Sequence, residues 1–199
     1  VIKEMNRQGV MIDISHASEK TFWDVIKLST QPIIASHSSV QALCYHDRNL
    51  TDKQMQALAK NGGVVQICLV DLFVNKDRKK ASLSDAIEHI DYAVKVAGID
   101  HVGIASDFDG GGGLIGCNGS NDMINITIAL LQRGYNEDDI EKIWGKNFFR
   151  VLDQVQAAYD SQRSNRIKSS KIQKAHQLSY RNKKNRLYRR RVEHTSFYI

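Results

Sequence analysis

Apolar residues over the first 159 positions fall into short unbroken runs, separated by stretches where they recur every three or four residues. Val10–Ile14, Pro32–Ala35, Val64–Val70 and His101–Ala105 are the runs, of strand length and too continuous for a half-exposed sheet. Helices are predicted between them. Ser18 caps a segment in which Phe22, Val25 and Ile26 share a face. Thr51-Asp52-Lys53-Gln54 reads as a capping box ahead of Met55, Leu58 and Ala59, and Asn61-Gly62-Gly63 ends that helix. Ser84 opens the next, with Ile87, Ile90, Val94 and Ala97 turned inward, and Gly98 stops it. A glycine-rich loop then runs from Asp109 to Gly119. Helices follow at about 122–133 and 137–159, the second begun by Asn136 and three acidic residues.

Continuous apolar strands separated by single helices imply a parallel α/β sheet covered on both faces. Four such units suit half of a (β/α)8 barrel or a small doubly wound sheet. The polar residues favour the barrel. His16, His37 and Asp107 each stand just beyond a strand end, on the rim where barrels assemble their chemistry. A doubly wound sheet usually carries a phosphate-binding glycine turn after its first strand, and none follows Val10–Ile14. Gly110–Gly113 matches a phosphate loop in composition only, without a GK[ST] ending or a GxGxxG spacing.

The rim repeats itself: IDISHAS at 12–18 and IIASHSS at 33–39 both end an apolar run in Ser-His. One such histidine is ordinarily a helix cap or a partner for a buried carbonyl. Two at matching positions point to a shared ligand, because neutral imidazoles suit zinc and a nearby carboxylate can ligate or carry a proton. His46 in a polar loop, His89 in a helix and His101 on the opposite rim read as structural.

Charge divides the chain. Its net +6 is the balance of a mildly acidic body, 16 Lys/Arg against 20 Asp/Glu over 1–159, and a basic tail, 12 against 2 over 160–199. Two regions are therefore expected: a body over 1–159 and a helical or disordered tail over 160–199. RNKKNRLYRRR within the tail suits nonspecific polyanion binding. No apolar run reaches membrane-spanning length and no signal peptide is visible, so a cytoplasmic protein is expected. Cys44, Cys68 and Cys117 are odd in number and lack a CxxC spacing, which favours reduced thiols. An exported protein leaves open a disulfide between two of them.

GVMIDISHAS, PIIASHSSVQALCYHDRNLTD, NGGVVQI, HIDYAVKVAGIDHVGIASDFDG and RGYNEDDIEKIWGKNFFRVL, in this order, resemble the membrane (renal) dipeptidase family of zinc peptidases. The resemblance covers roughly residues 1–158 and corresponds to the C-terminal half of that catalytic domain. It implies the C-terminal half of a TIM-like, metal-dependent hydrolase barrel in which water activated by zinc attacks the peptide bond of a dipeptide. His16 and His37 then correspond to two ligands of one zinc, Asp107 to the proton shuttle, and Arg48 to the residue that grips the substrate's carboxylate. The resemblance implies two zinc ions per complete site, sharing a bridging Glu, with the second near Asp107; the His-x-Asp pair and the bridging Glu are expected upstream of the matched segments, so at most a partial site is expected here. Two readings follow: a zinc dipeptidase or its C-terminal portion, completed by an N-terminal half or a second copy; or an inactive truncated remnant whose tail binds anions or partners. Another binuclear amidohydrolase, such as a deaminase, is disfavoured by the SHS–RN segment.

Overall fold

The computed structural model of the protein describes residues 1–164 together with Lys171 and Lys174. The rest of the expected tail, including RNKKNRLYRRR, lies outside the described residues. Two compact units divide the chain, Val1–Ala158 and Tyr159–Ile199; the fold and site below belong to the first.

Three parallel strands, β1 (Ile34–Ser38), β2 (Val64–Cys68) and β3 (Val102–Ala105), lie side by side in chain order. Helices α1 (Ile2–Gln8), α2 (Glu19–Leu28), α3 (Asp52–Lys60), the short α4 (Asp71–Val74), α5 (Leu83–Ala97), α6 (Ile124–Gln132) and α7 (Glu137–Glu141) alternate with and follow them. Beyond α7 a π turn, Lys142–Lys146, leads into α8, which covers 147–158 within the first unit.

The first expected strand is only partly realised. Residues 10–14 lie beside β1, but a single parallel bridge joins them, Asp13 to Ile34, with Ile34 N–H donating to Ile12 O (2.9 Å) and Ile14 N–H to Ile34 O (2.8 Å). Asp13 explains the interruption. Its carboxylate accepts from the backbone N–H of Ser15 and of Ser36 (both 3.0 Å), drawing both segments out of a regular ladder.

Local signals fare better. Ser18 Oγ accepts from Thr21 N–H, and Thr51 and Gln54 exchange both bonds of a capping box. Thr51→Ala should cost about 1 kcal/mol, read as a lower denaturation midpoint at unchanged slope. An unchanged midpoint would show that the box does not hold α3. The cap of α5 is Ser82 rather than Ser84, because Ser82 N–H and Oγ–H both reach Asp85 (2.8 and 2.7 Å). The π turn interrupts what the pattern reads as one helix. It contains Gly145, a weak helix former, and ends where Asn147 donates to the carbonyls of Ile99 (2.7 Å) and Val102 (2.8 Å).

One sheet face, with Ala35, Val65 and Ile67, packs on Phe22, Met55 and Ile87 from the flanking helices. Phe22 is almost wholly buried, and a side chain of this kind contributes about 2–3 kcal/mol through the water it sheds. The other face seats Ile34 and Val64 against Val151 and Val155 of α8. Arg150 donates to the carbonyls of Gly62 (2.8 Å) and Asp100 (2.7 Å), which precede β2 and β3. Helix α8 therefore lies across the N-terminal ends of the strands, and their C-terminal ends carry the polar rim. This is the architecture of part of a TIM-like barrel, as the alternation of runs implied.

Three histidines are structural. His89 is buried, accepts from Val40 N–H at Nδ1 (2.9 Å) and donates from Nε2 to Val74 O (3.2 Å). His101 meets Gly63 O through Nδ1 (2.8 Å), and His46 accepts from Arg48 N–H (3.1 Å). The three cysteines are free and buried. Burial raises each thiol's pKa, that of Cys68 to about 12. Among the described residues no helix is long and apolar enough to cross a membrane.

Candidate metal centre

β1 does not run regularly to its end. Ile34 and Ala35 pair with Val64 and Val65, but Ser38 pairs with Ile67, so Ser36 and His37 together oppose Gln66 alone. A bulge of this kind re-aims side chains. His16 also departs from ordinary backbone, at φ 68°, and Asp107 does so at φ 52°. They are the only non-glycine residues with positive φ among those described, and both sit on the rim. Strained backbone gathers where function over-determines conformation.

Together these departures bring His16 Nε2 within 2.9 Å of His37 Nε2, the rings tilted 60° to one another. Two nitrogens bound tetrahedrally to one zinc at 2.0–2.1 Å stand about 3.3 Å apart, so a small separation accommodates the ion. Their donor chemistry fits zinc. Partial burial lowers the His16 pKa, aided by the Arg48 guanidinium and His37 and opposed by Asp107 and Asp13. The neutral, ligand form of His16 is thereby favoured at neutral pH. Behind His37, its Nδ1 lies 2.7 Å from Ser36 Oγ, which in turn lies 2.5 Å from Asp13 Oδ2. The His37 main chain is held by Ser15 Oγ, which accepts from its N–H (3.0 Å), and by Arg48 Nη2, which donates to its carbonyl (3.2 Å).

Asp107 follows β3 on the same rim, its Oδ2 3.8 Å from Cys68 Sγ, and its charge is felt at His16. The glycine run wraps this residue. Asp107 O accepts from Gly110 N–H (3.0 Å) and Gly112 N–H (2.7 Å). A Cβ at Gly110 would meet Asp107 Oδ1 at 2.1 Å, and one at Gly112 would meet Ser106 O at 2.2 Å. Asp109, in the short 3-10 turn Phe108–Gly110, is exposed.

Arg48 stands over the Phe73 ring, 5.3 Å from its centre, with Nε buried and without a hydrogen-bond partner. It lines a cavity of about 550 Å³ together with His16, Glu19, Tyr45 and Gln54. All four residues singled out from the sequence, His16, His37, Arg48 and Asp107, thus lie on or beside one rim.

Asp13, Ser15 and Ser36 went unremarked in the sequence, although the Ser-His repeat contained two of them. Among the described residues no group of three or more His, Cys, Asp or Glu side chains is placed to hold a metal ion. One His-x-Asp triplet does occur, His89-Ile90-Asp91, but it lies on α5. His89 is engaged by Val40 and Val74, and Asp91 by Arg133 (2.8 Å) and the Tyr135 hydroxyl (2.9 Å), so the triplet contributes nothing to the rim.

The chain is similar in sequence and fold to known proteins. Dipeptidase tcpJ of Claviceps purpurea is 38% identical over 164 residues, which is 82% of this chain and 39% of tcpJ. Dipeptidase aclJ of Aspergillus oryzae is 39% identical over 158 residues, 78% of this chain and 37% of its own length. The chain therefore spans about two-fifths of the length of these curated relatives. Among solved structures, the probable dipeptidase PvdM from Pseudomonas aeruginosa superposes with a TM-score of 0.75 at 32% identity, covering 79% of this chain and 53% of PvdM. A metallo peptidase from Rhodobacter sphaeroides, liganded with a phosphinate mimic of the dipeptide L-Ala-D-Ala, gives 0.74 at 31% identity, covering 77% and 45%. The model of the membrane dipeptidase family, peptidase family M19, matches residues 1–166, and to that family of metallopeptidases this chain belongs.

Proposed function

We propose that this chain performs, or supplies the C-terminal part of, zinc-dependent hydrolysis of dipeptides. The convergence of His16 and His37 Nε2, 2.9 Å apart beside the cavity that Arg48 lines, carries this reading. His16 and His37 would hold the ion, which when bound would supply Lewis-acid polarisation of the scissile carbonyl and a more acidic water at neutral pH. Asp107 takes the proton from the attacking water and returns it to the leaving amine, which needs one to depart. Arg48 meets the substrate's terminal carboxylate with donors not engaged by His37 O, and so measures a dipeptide's length. The Rhodobacter relative, crystallised with a dipeptide mimic, supports this substrate class.

A test is to load the full chain with zinc and follow hydrolysis of L-Ala-D-Ala and of its C-terminal amide. Zinc-dependent cleavage of the free acid, lost on chelation and much weaker for the amide, is expected. Arg48→Lys should raise KM roughly tenfold with little change in kcat, because one charge-assisted bond of the fork is lost. A fall in kcat at constant KM would move Arg48 from substrate binding to the reaction itself.

A second reading rests on the two-histidine donor set. Catalytic zinc usually takes three protein ligands, and no group of three stands ready among the described residues. On this reading the chain is an inactive remnant, and zinc-loaded protein shows no hydrolysis above the His16→Ala/His37→Ala background.

A further inference from the structure

We propose that Asp13 and Ser36 are positioning residues that hold His37 as its Nδ1–H tautomer, so that Nε2 offers its lone pair to the rim. The inference rests on reading His37 as a metal ligand, and it follows from hydrogen-bond directions. The Asp13 carboxylate only accepts. Its Oδ1 takes the backbone N–H groups of Ser15 and Ser36, and its Oδ2 faces Ser36 Oγ at 2.5 Å. The single hydroxyl hydrogen of Ser36 therefore points to Asp13. Ser36 Oγ turns a lone pair toward His37 Nδ1, 2.7 Å away, and the imidazole must donate there. Neutral imidazole carries one N–H, so Nε2 is left as the acceptor. Across the 2.9 Å contact His16 then supplies the hydrogen. Ligating histidines are commonly oriented through the nitrogen that does not bind the metal; here a hydroxyl relays a carboxylate's preference to that nitrogen.

Asp13→Asn should reverse the relay rather than remove it. Asn Oδ1 can keep both backbone bonds, while its amide donates to Ser36 Oγ. The Ser36 hydrogen then turns to His37 Nδ1, and the proton of His37 moves to Nε2. Ser36→Ala deletes the relay and leaves both tautomers open. The full-length chain and the Asp13→Asn, Ser36→Ala and doubly substituted variants should be compared by two-bond ¹H–¹⁵N correlation of the histidine rings, at a pH where the rings are neutral, and by Zn²⁺ titration. The expected result is Nδ1–H for His37 in the native chain and Nε2–H in Asp13→Asn. Zinc affinity should fall about 10–100-fold in Asp13→Asn and less in Ser36→Ala. The double variant should behave as Ser36→Ala, because Asp13 acts only through the hydroxyl. An Nδ1–H signal in Asp13→Asn, or additive losses in the double variant, would overturn the relay. A native chain that binds no zinc beyond the His16→Ala/His37→Ala background would refute the metal reading alone, and the tautomer signals would still decide whether the relay exists.

Discussion

His37→Ala should remove specific zinc binding from this chain. Outer partners of a metal ligand are worth roughly 10–100-fold in affinity, and loss of the ligand itself should exceed that. The expectation is strong here because the donor set is small: two imidazole nitrogens converge, and among the described residues no third ligand forms a group with them. A site with three or four ligands degrades gradually, but one with two loses its chelating geometry with the first. His16→Ala should have the same effect, and the double variant should add little to either. The control is His101→Ala, which removes an imidazole bonded to Gly63 O at the other end of the sheet. Zn²⁺ titration of these four proteins checks the expectation. Native-like affinity in both single rim variants would show that any zinc bound by the protein sits elsewhere.

Acidification should destabilise the fold through His89. Burial holds this imidazole at about 4 instead of 6.5, against the opposing pull of the Val74 carbonyl and Asp85. In the unfolded chain it gains its proton near pH 6.5, so below that value the unfolded state binds more protons than the folded one. Its contribution is complete above about pH 6.5 and declines by about 1.4 kcal/mol per unit of pH until the folded group also titrates, a total near 3 kcal/mol. His89→Leu cannot titrate. That variant should be less stable at pH 7, since Val40 N–H and Val74 O each lose a buried partner at about 1–3 kcal/mol. Between pH 7 and 4.5, however, it should lose less stability than the native chain. Denaturant unfolding at the two pH values measures the difference. Equal losses in the two proteins would mean that another group governs acid sensitivity.

What the sequence made legible was local or periodic. Thr51 and Gln54 are three residues apart, so their capping box follows from composition alone, as do the caps at Ser18 and Asn136. The repeat of Ser-His after two apolar runs placed both imidazoles on one rim. The details that set their geometry depend on partners distant in sequence. Residues 10–14 look like a strand until Asp13 is seen to bond Ser36, 23 residues away. The surplus residue in β1 is invisible without β2 beside it, since it is defined by pairing. Similarly, α8 crosses the foot of the sheet because Arg150 finds the carbonyl of Gly62, 88 positions earlier. The glycine run after Asp107 resembled a phosphate loop by composition only, whereas Gly110 is required where the loop meets the Asp107 carboxylate and Gly112 where it meets the backbone carbonyls of Ser106 and Asp107.

The irregular end of β1 bears on how such a chain can change over generations. Ser36 and His37 share the place opposite Gln66, so the ladder has one residue to spare. Loss of the Ser36 codon would let Ala35, His37 and Ser38 follow Val65, Gln66 and Ile67 in unbroken register. The same event would delete the hydroxyl between Asp13 and His37. The relay in this strand therefore hangs on one surplus residue. A one-codon deletion would give a more regular barrel wall and leave His37 in place without its hydroxyl partner, and regaining the relay would require a serine inserted again at that point.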